Sequence, residues 1–320
     1  SGKDVKPQII PDYDGNDVLL KGSGTYLKVS DFPTLKTLKG RTLITTDGTT
    51  LLGADDKAGV SEIMTAVEQI ITEKIPHGDI WIGFTPDEEV GSGADLFDLD
   101  YFKARFAYTV DGDYEGEVAY ENFNAASASF EINGVNVHPG EAKDIMINAA
   151  LVGCEIASLL PENETPAHTE GREGFYHLTD FSGDIAHAKV NYIVRDHDKA
   201  TFEKRLDTLR GIEQKMNEKY HADTVKLNIQ HSYSNMLEVI EKNEYVVAIA
   251  KKAIKNVGLE PVSRPVRGGT DGARLSFMGL PCPNLGTGGY GFPGPFEHIS
   301  VEGMDTAVSV IKEIVKITAE

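Results

Sequence analysis

The feature that most constrains this chain is an apolar run that ends on a block of like charge. In "DIWIGFTPDEEVGSGADLF" (79–97) the run closes on Pro86 and is followed at once by Asp87, Glu88 and Glu89. Neighbouring carboxylates repel, so a chain that sets three of them at the end of a buried segment needs something to offset the repulsion. The arrangement recurs. "LLGADDKAG" carries Asp55 and Asp56, and "YTVDGD" ends an apolar stretch on Asp111. In a parallel sheet the carboxyl ends of neighbouring strands lie along one edge, where acids far apart in sequence converge. A divalent metal ion, or a pair, is the simplest source of the missing positive charge. One acid left off the metal is then free to act as general base toward an attacking water. Taken singly, each cluster reads more readily as solvated loop or helix-capping acids. Only their recurrence at successive strand ends argues for a site.

The pattern between these segments is that of alternating strands and helices. "KAGVSEIMTAVEQIITEK" (57–74) places Val60, Ile63, Met64, Val67, Ile70 and Ile71 at the spacing of an amphipathic helix. "DIWIGF" reads as a buried strand, "GADLFDLDYF" as a short helix and "FAYTVDGD" as a second strand. Such alternation predicts an α/β fold with a doubly wound, mostly parallel sheet. The middle of the chain reads differently. Strand, helix, two alternating strands, a long charged helix and a last strand follow one another, the β-α-β-β-α-β order of a ferredoxin-like α+β unit. We place this inserted unit at 122–233, and the metal-binding domain at 1–121 and 234–320.

Charge narrows the partners. Lysine and arginine total 31 against 50 acids, a net charge of −19. That field repels nucleic acid and anionic membrane surfaces and draws in cations and substrate amines. Two cysteines make no disulfide framework and point to a reducing, cytoplasmic setting. No apolar run is long enough to span a bilayer.

"LLGADDKAG", "TPDEEVGSG", "YTVDGDYEGE", "NGVNVHPG" and "RGGTDGARLSFMGLPCPN" together resemble peptidase T. This is the tripeptide aminopeptidase group among the di-zinc peptidases that also include carboxypeptidase G-like enzymes and aminoacylases. The resemblance runs through the whole chain. It implies a catalytic domain with an inserted lid, two zinc ions per subunit, short peptides as substrates and a homodimer. By motif position, Asp55 resembles the carboxylate bridging the zincs, Glu88 the general base, and Glu89 and Asp111 ligands of one zinc each. His138 is similar to the lid histidine that meets the substrate near its scissile carbonyl. Arg195 resembles a holder of the peptide's terminal carboxylate, and Arg267 a further substrate contact. The activity implied is release of the N-terminal residue of tripeptides, in the cytoplasm.

Two positions depart from the family pattern. Its first metal motif, histidine-x-aspartate, normally precedes the "SGK" on which this sequence opens, so the catalytic domain is expected to be N-terminally truncated. Its last zinc histidine stands four residues before the glutamate matching Glu297, where this chain has Pro293. His298 lies nearby and reads more readily as an exposed histidine preceding a helix than as a substitute ligand reached by a loop shift. With both imidazoles gone the ligands are carboxylates, which suit magnesium, calcium or manganese as well as zinc. Fewer than two zincs, or none, are then expected. The alternative to a zinc aminopeptidase is a catalytically impaired remnant that binds peptide or a partner without hydrolysis.

Overall fold

The computed structural model describes all residues, Ser1–Glu320. In chain order the elements begin with β1 (Gln8–Ile10), β2 (Val18–Leu20), β3 (Thr25–Leu27), β4 (Leu43–Thr45) and α1 (Ala54–Thr72). Next come β5 (Thr109–Gly112), β6 (Val118–Ala119), β7 (Asn124–Asn133), α2 (Ala149–Ser158), β8 (Phe175–Gly183) and β9 (His187–Asp196). They continue with α3 (Lys199–Lys219), β10 (Val225–Tyr233), α4 (Leu237–Ile240), α5 (Glu244–Asn256) and α6 (Asp271–Met278). The last are β11 (Asn284–Gly286), β12 (Gly289–Tyr290), β13 (His298–Ser300) and α7 (Val301–Ala319). The chain divides into two compact units. Unit 1 comprises Ser1–Tyr120, Met236–Arg264 and Thr270–Glu320, and unit 2 comprises Glu121–Asn235 with Pro265–Gly269.

Unit 2 follows the β-α-β-β-α-β order read from its sequence, in a four-stranded sheet ordered β10-β7-β9-β8. All its pairs are antiparallel, and β7 against β9 runs without a slip from Asn124↔Asp196 to Asn133↔His187. The alternation of β9 buries Ala188, Val190, Tyr192 and Val194 against Phe202, Leu206 and Leu209 of α3 and Val152 and Ile156 of α2. Asn148 and Asp198 cap α2 and α3 through their side chains. The two ends of the unit are tied by buried asparagines. Asn235 accepts from the Asn122 N–H, and Asn124 accepts from the Asn235 N–H while donating to the carbonyls of Asp196 and His197.

Unit 1 departs from the expected doubly wound, mostly parallel sheet. Its four-stranded sheet, β1-β4-β13-β12, is antiparallel throughout, and a separate three-stranded sheet is ordered β5-β11-β6. In the latter β11 runs parallel to β5 and antiparallel to β6. The reason lies in residues 79–85. A strand exists only where its N–H and C=O groups find a ladder, and no backbone–backbone hydrogen bond forms to residues 79–86. "IWIGF" is therefore unpaired, with Trp81 37% and Phe84 53% exposed. The expected helix at 93–102 is likewise a series of turns.

The same absence of cover rotates the reading of α1. The face it buries carries Ala58, Glu62, Ala66 and Ile70, four residues apart, whereas Val60, Met64 and Ile71 are exposed. Ile63 and Val67 line, with Ile80–Phe84, Tyr108, Val110, Ile311 and Ile314, a cavity of about 860 Å³ within unit 1. The helix approaches β5 so closely that a Cβ on Gly59 would stand 1.9 Å from the Val110 carbonyl oxygen. Only glycine fits there.

Candidate active site: a carboxylate cluster in unit 1

Three segments bring acids to the floor of this cavity. Asp55 and Asp56 lie in the first turn of α1, where the backbone leaves helical geometry (φ −83°, ψ 106° and φ −121°, ψ 38°). The departure turns the Asp55 carboxyl onto that of Asp111, and the two are hydrogen-bonded. Asp111 stands near the end of β5, its N–H donating at 3.2 Å to Asn284 Oδ1 of β11. Glu88 and Glu89 form a short 3-10 turn flanked by left-handed Asp87 (φ 63°) and Gly91 (φ 73°). A further acid, Asp271, lines the same cavity. Asp271 opens α6, whose cap is Thr270. Asp271 Oδ2 accepts from Thr85 Oγ1 at 2.7 Å, fixing the residue just before the Pro86 turn.

The crowding of negative charge is visible in the protonation of these groups. Burial, and then Asp56 and Asp55, push the Asp111 carboxyl well above the usual range. Burial raises Asp56 to about 8, with Asp55 and Glu88 adding to it and the Gly59 N–H opposing. Glu88 rises to about 6 through burial, Asp271, Glu89 and Asp55, in that order. Asp111 and Asp56 therefore hold protons at neutral pH. A cation that displaces those protons removes the repulsion, which is how an oxygen donor set fits a hard divalent ion. The fit is to oxygen chemistry alone. No three histidine, cysteine, aspartate or glutamate side chains stand together tightly enough to hold a metal ion as a finished cage.

The structure brings Asp55, Glu88 and Asp111 together, with Glu89 exposed beside Glu88 on the wall of the same cavity. His138, Arg195 and Arg267 belong to unit 2. His138 is exposed, and its Nδ1 accepts the Gly140 N–H at 3.1 Å, which leaves Nε2 as the free ring position. Arg195 donates to the Ala126 and Val194 carbonyls and lies over the Tyr233 ring. Arg267 is tied to the Gly171 and Glu173 carbonyls and Thr169 Oγ1, and stacks on Phe123 and Phe175.

His298 does not take the place of the histidine that Pro293 replaces. It is fully buried, bonded through Nδ1 to the Phe296 carbonyl and packed against Tyr290 and Phe32. Two histidine-x-aspartate triplets do occur: His77-Gly78-Asp79, exposed just before residues 79–85 in unit 1, where His77 Nδ1 bonds to the Gly78 carbonyl, and His221-Ala222-Asp223, an exposed turn between α3 and β10 in unit 2. Sequence reasoning also missed Glu62 and Glu115, which are 1% and 2% exposed. Both oxygens of Glu62 and one of Glu115 have no partner. The signal for Glu62 was present in the small residues Ala58 and Ala66 four positions to either side, which mark the buried helix face.

Residues 120–224 match the family model described as a peptidase dimerisation domain. Peptidase T of Clostridium novyi is 56% identical over 319 residues, spanning 99% of this chain and 78% of that relative. A tripeptidase structure from Staphylococcus aureus superposes with a TM-score of 0.77 at 25% identity, covering 87% of this chain and 74% of that one. The Bacillus subtilis YXEP protein, described as a dinuclear metal binding peptidase of the M20 family, is alike in fold. Its TM-score is 0.60 at 14% identity, over 81% of this chain and 71% of that one. With more than half its residues identical to a peptidase T along nearly its entire length, this chain belongs to the peptidase T family.

Proposed function

We propose that this chain hydrolyses the N-terminal peptide bond of tripeptides in a reaction that depends on a divalent cation. The observation that carries the reading is the gathering of Asp55, Glu88 and Asp111 from three separate segments at one end of the unit 1 cavity. Asp55, Asp111 and Glu89 would hold the ion, which supplies positive charge to polarise the scissile carbonyl. Zinc is the ion the family resemblance names, and an oxygen-only donor set accepts manganese equally well.

Glu88 is the proposed general base. Its carboxyl, raised to about 6, is ionised at neutral pH yet close enough to water's needs to take a proton in the transition state. The water oxygen bonds to the carbonyl carbon, the C–N bond breaks, and Glu88 returns the proton to the leaving amine. Thr85 and Asp271 hold the turn that presents Glu88. In unit 2, His138 has a fixed tautomer, with Nε2 carrying the hydrogen when neutral. We assign it as donor to the carbonyl oxygen. Arg195 and Arg267 remain the proposed contacts for the substrate's carboxylate. Arg267 spends three hydrogen bonds on the loop at 169–173. A homodimer through unit 2 follows from its likeness to dimerisation domains. The two free cysteines suit the cytoplasm, and no helix is long and apolar enough to cross a membrane.

A second reading, peptide binding without hydrolysis, is favoured by Pro293 and the buried His298. Incubating the chain with Mn²⁺ or Zn²⁺ and Ala-Ala-Ala separates the two. Release of alanine that is abolished by Glu88→Gln supports the enzyme. Binding of the tripeptide with no alanine released supports the second reading and overturns the first.

A further inference from the structure

Glu297 has no place in the chemistry above, yet its environment is the most fully organised of any acid in unit 1. Its carboxylate is 1% exposed and does not line the cavity. Oε2 accepts three successive backbone N–H groups, those of Leu52 at 3.0 Å, Gly53 at 2.6 Å and Ala54 at 3.3 Å. Oε1 accepts the Gly294 N–H at 3.1 Å. Successive N–H groups that converge on one point form an anion nest. Here the anion is the chain's own side chain, delivered from 244 residues away at Gly53. Gly53 has φ +71° and no side chain to cap α1, so Glu297 satisfies the donors that a capping residue ordinarily would.

We propose that Glu297 is a positioning residue for Asp55. This rests on the reading of Asp55 as a ligand of a divalent cation. Ala54, whose N–H Glu297 holds, is joined directly to Asp55, and the non-helical backbone that turns the Asp55 carboxyl onto Asp111 begins at that residue. The other carboxylate oxygen holds the loop that carries Pro293. One buried side chain thus sets the spacing between the Asp55 turn and the 291–297 loop. The bonds are charge-assisted, and so among the stronger kind a backbone makes. An alanine at position 297 removes all four acceptor contacts at once. A glutamine keeps an acceptor oxygen but turns an NH₂ group toward donors.

The test compares wild type, Glu297→Ala, Glu297→Gln and Asp55→Asn as full chains. Amide hydrogen exchange is read first in EDTA, where no cation contributes. The amides of Leu52, Gly53 and Ala54 are expected to be protected in wild type and to exchange at least roughly tenfold faster in Glu297→Ala, with Glu297→Gln between. The amides of α5 should be unchanged in all four proteins, which separates loss of the turn from loss of the fold. Mn²⁺ affinity is then measured by calorimetry. Loss of a residue that orients a ligand from behind costs roughly 10- to 100-fold in affinity, and Glu297→Gln should recover part of it. Equal exchange at 52–54 in wild type and Glu297→Ala overturns the proposal, as does freed exchange with undiminished Mn²⁺ affinity. If instead Asp55→Asn binds Mn²⁺ as well as wild type, the metal reading of Asp55 fails and takes the role of Glu297 with it, whatever the exchange data show of the turn.

Discussion

Glu62→Gln should make unit 1 more stable in alkaline solution and leave it unchanged in acid. Glu62 is buried on the inner face of α1 with both oxygens unpartnered. Burial, then Asp56 and Glu115, raise its carboxyl from 4.5 to about 9. The sign is the reverse of the common carboxylate case. Between those two values the unfolded chain has lost the proton and the folded chain keeps it, so the unfolded state binds fewer protons. Stability therefore falls as pH rises through the window, by about 1.4 kcal/mol for each pH unit at full effect. From pH 5 to pH 8 the upper bound is about 4 kcal/mol, and water entry and relaxation around the site reduce it to roughly 1–2 kcal/mol. Glutamine has the same shape and cannot ionise, so it removes this dependence. The single tryptophan, Trp81, lies in unit 1 and its fluorescence follows that unit through urea unfolding. With EDTA present, the wild-type and Glu62→Gln midpoints should coincide near pH 5 and separate progressively toward pH 8, the variant being the more resistant. Two curves that fall in parallel from pH 5 to pH 8 would refute the reasoning, because they would mean that Glu62 is already ionised in the folded protein.

Other perturbations are equally specific. Gly59→Ala should cost roughly 1–3 kcal/mol of unit 1 stability, because its Cβ meets the Val110 carbonyl at 1.9 Å; the Trp81 urea transition reads it. Arg205→Ala should destabilise unit 2 by roughly 3–5 kcal/mol, since Asp196, 4% exposed, loses its ion pair and stays buried. Circular dichroism during urea unfolding checks this, and a loss below about 1 kcal/mol would assign Asp196 another source of neutralisation. Pro293→His should raise Zn²⁺ affinity in calorimetry by at least about tenfold, an imidazole being a softer donor than any now present; an unchanged affinity would place position 293 away from the carboxylate cluster.

How much of this could be read in advance depended on whether a segment carries its own partners. Unit 2 was legible almost element by element. Its strands alternate cleanly, its helices open on Asn148 and Asp198, and every strand finds a neighbour within the same stretch of chain. The carboxylates of unit 1 were legible for a different reason. Like charges at the ends of apolar runs are costly enough to be conspicuous, and the structure sets Asp55 against Asp111 with Glu88 near enough to act on them electrostatically. The parallel sheet was misread because "DIWIGF" has the composition of a central strand, and composition says nothing of whether a neighbour is present to pair with. The inner face of α1 was misread for the same cause, since the apolar stripe borders a cavity and the face holding Glu62 takes the core. Glu297 and Asp271 act through hydrogen bonds to residues roughly two hundred positions distant, which no local pattern encodes.

The gathering of acids around one cation has a direct signature in protons. Mn²⁺ titrated into the chain at pH 7, in buffers of differing ionisation enthalpy, gives both the affinity and the number of protons expelled. Because Asp111, one of the proposed ligands, holds a proton before the ion arrives, binding should release about one proton for each ion bound, and Asp55→Asn and Asp111→Asn should each weaken binding by at least roughly tenfold. Mn²⁺ binding that releases no protons and is as tight in both variants as in wild type would place the ion elsewhere and contradict the account.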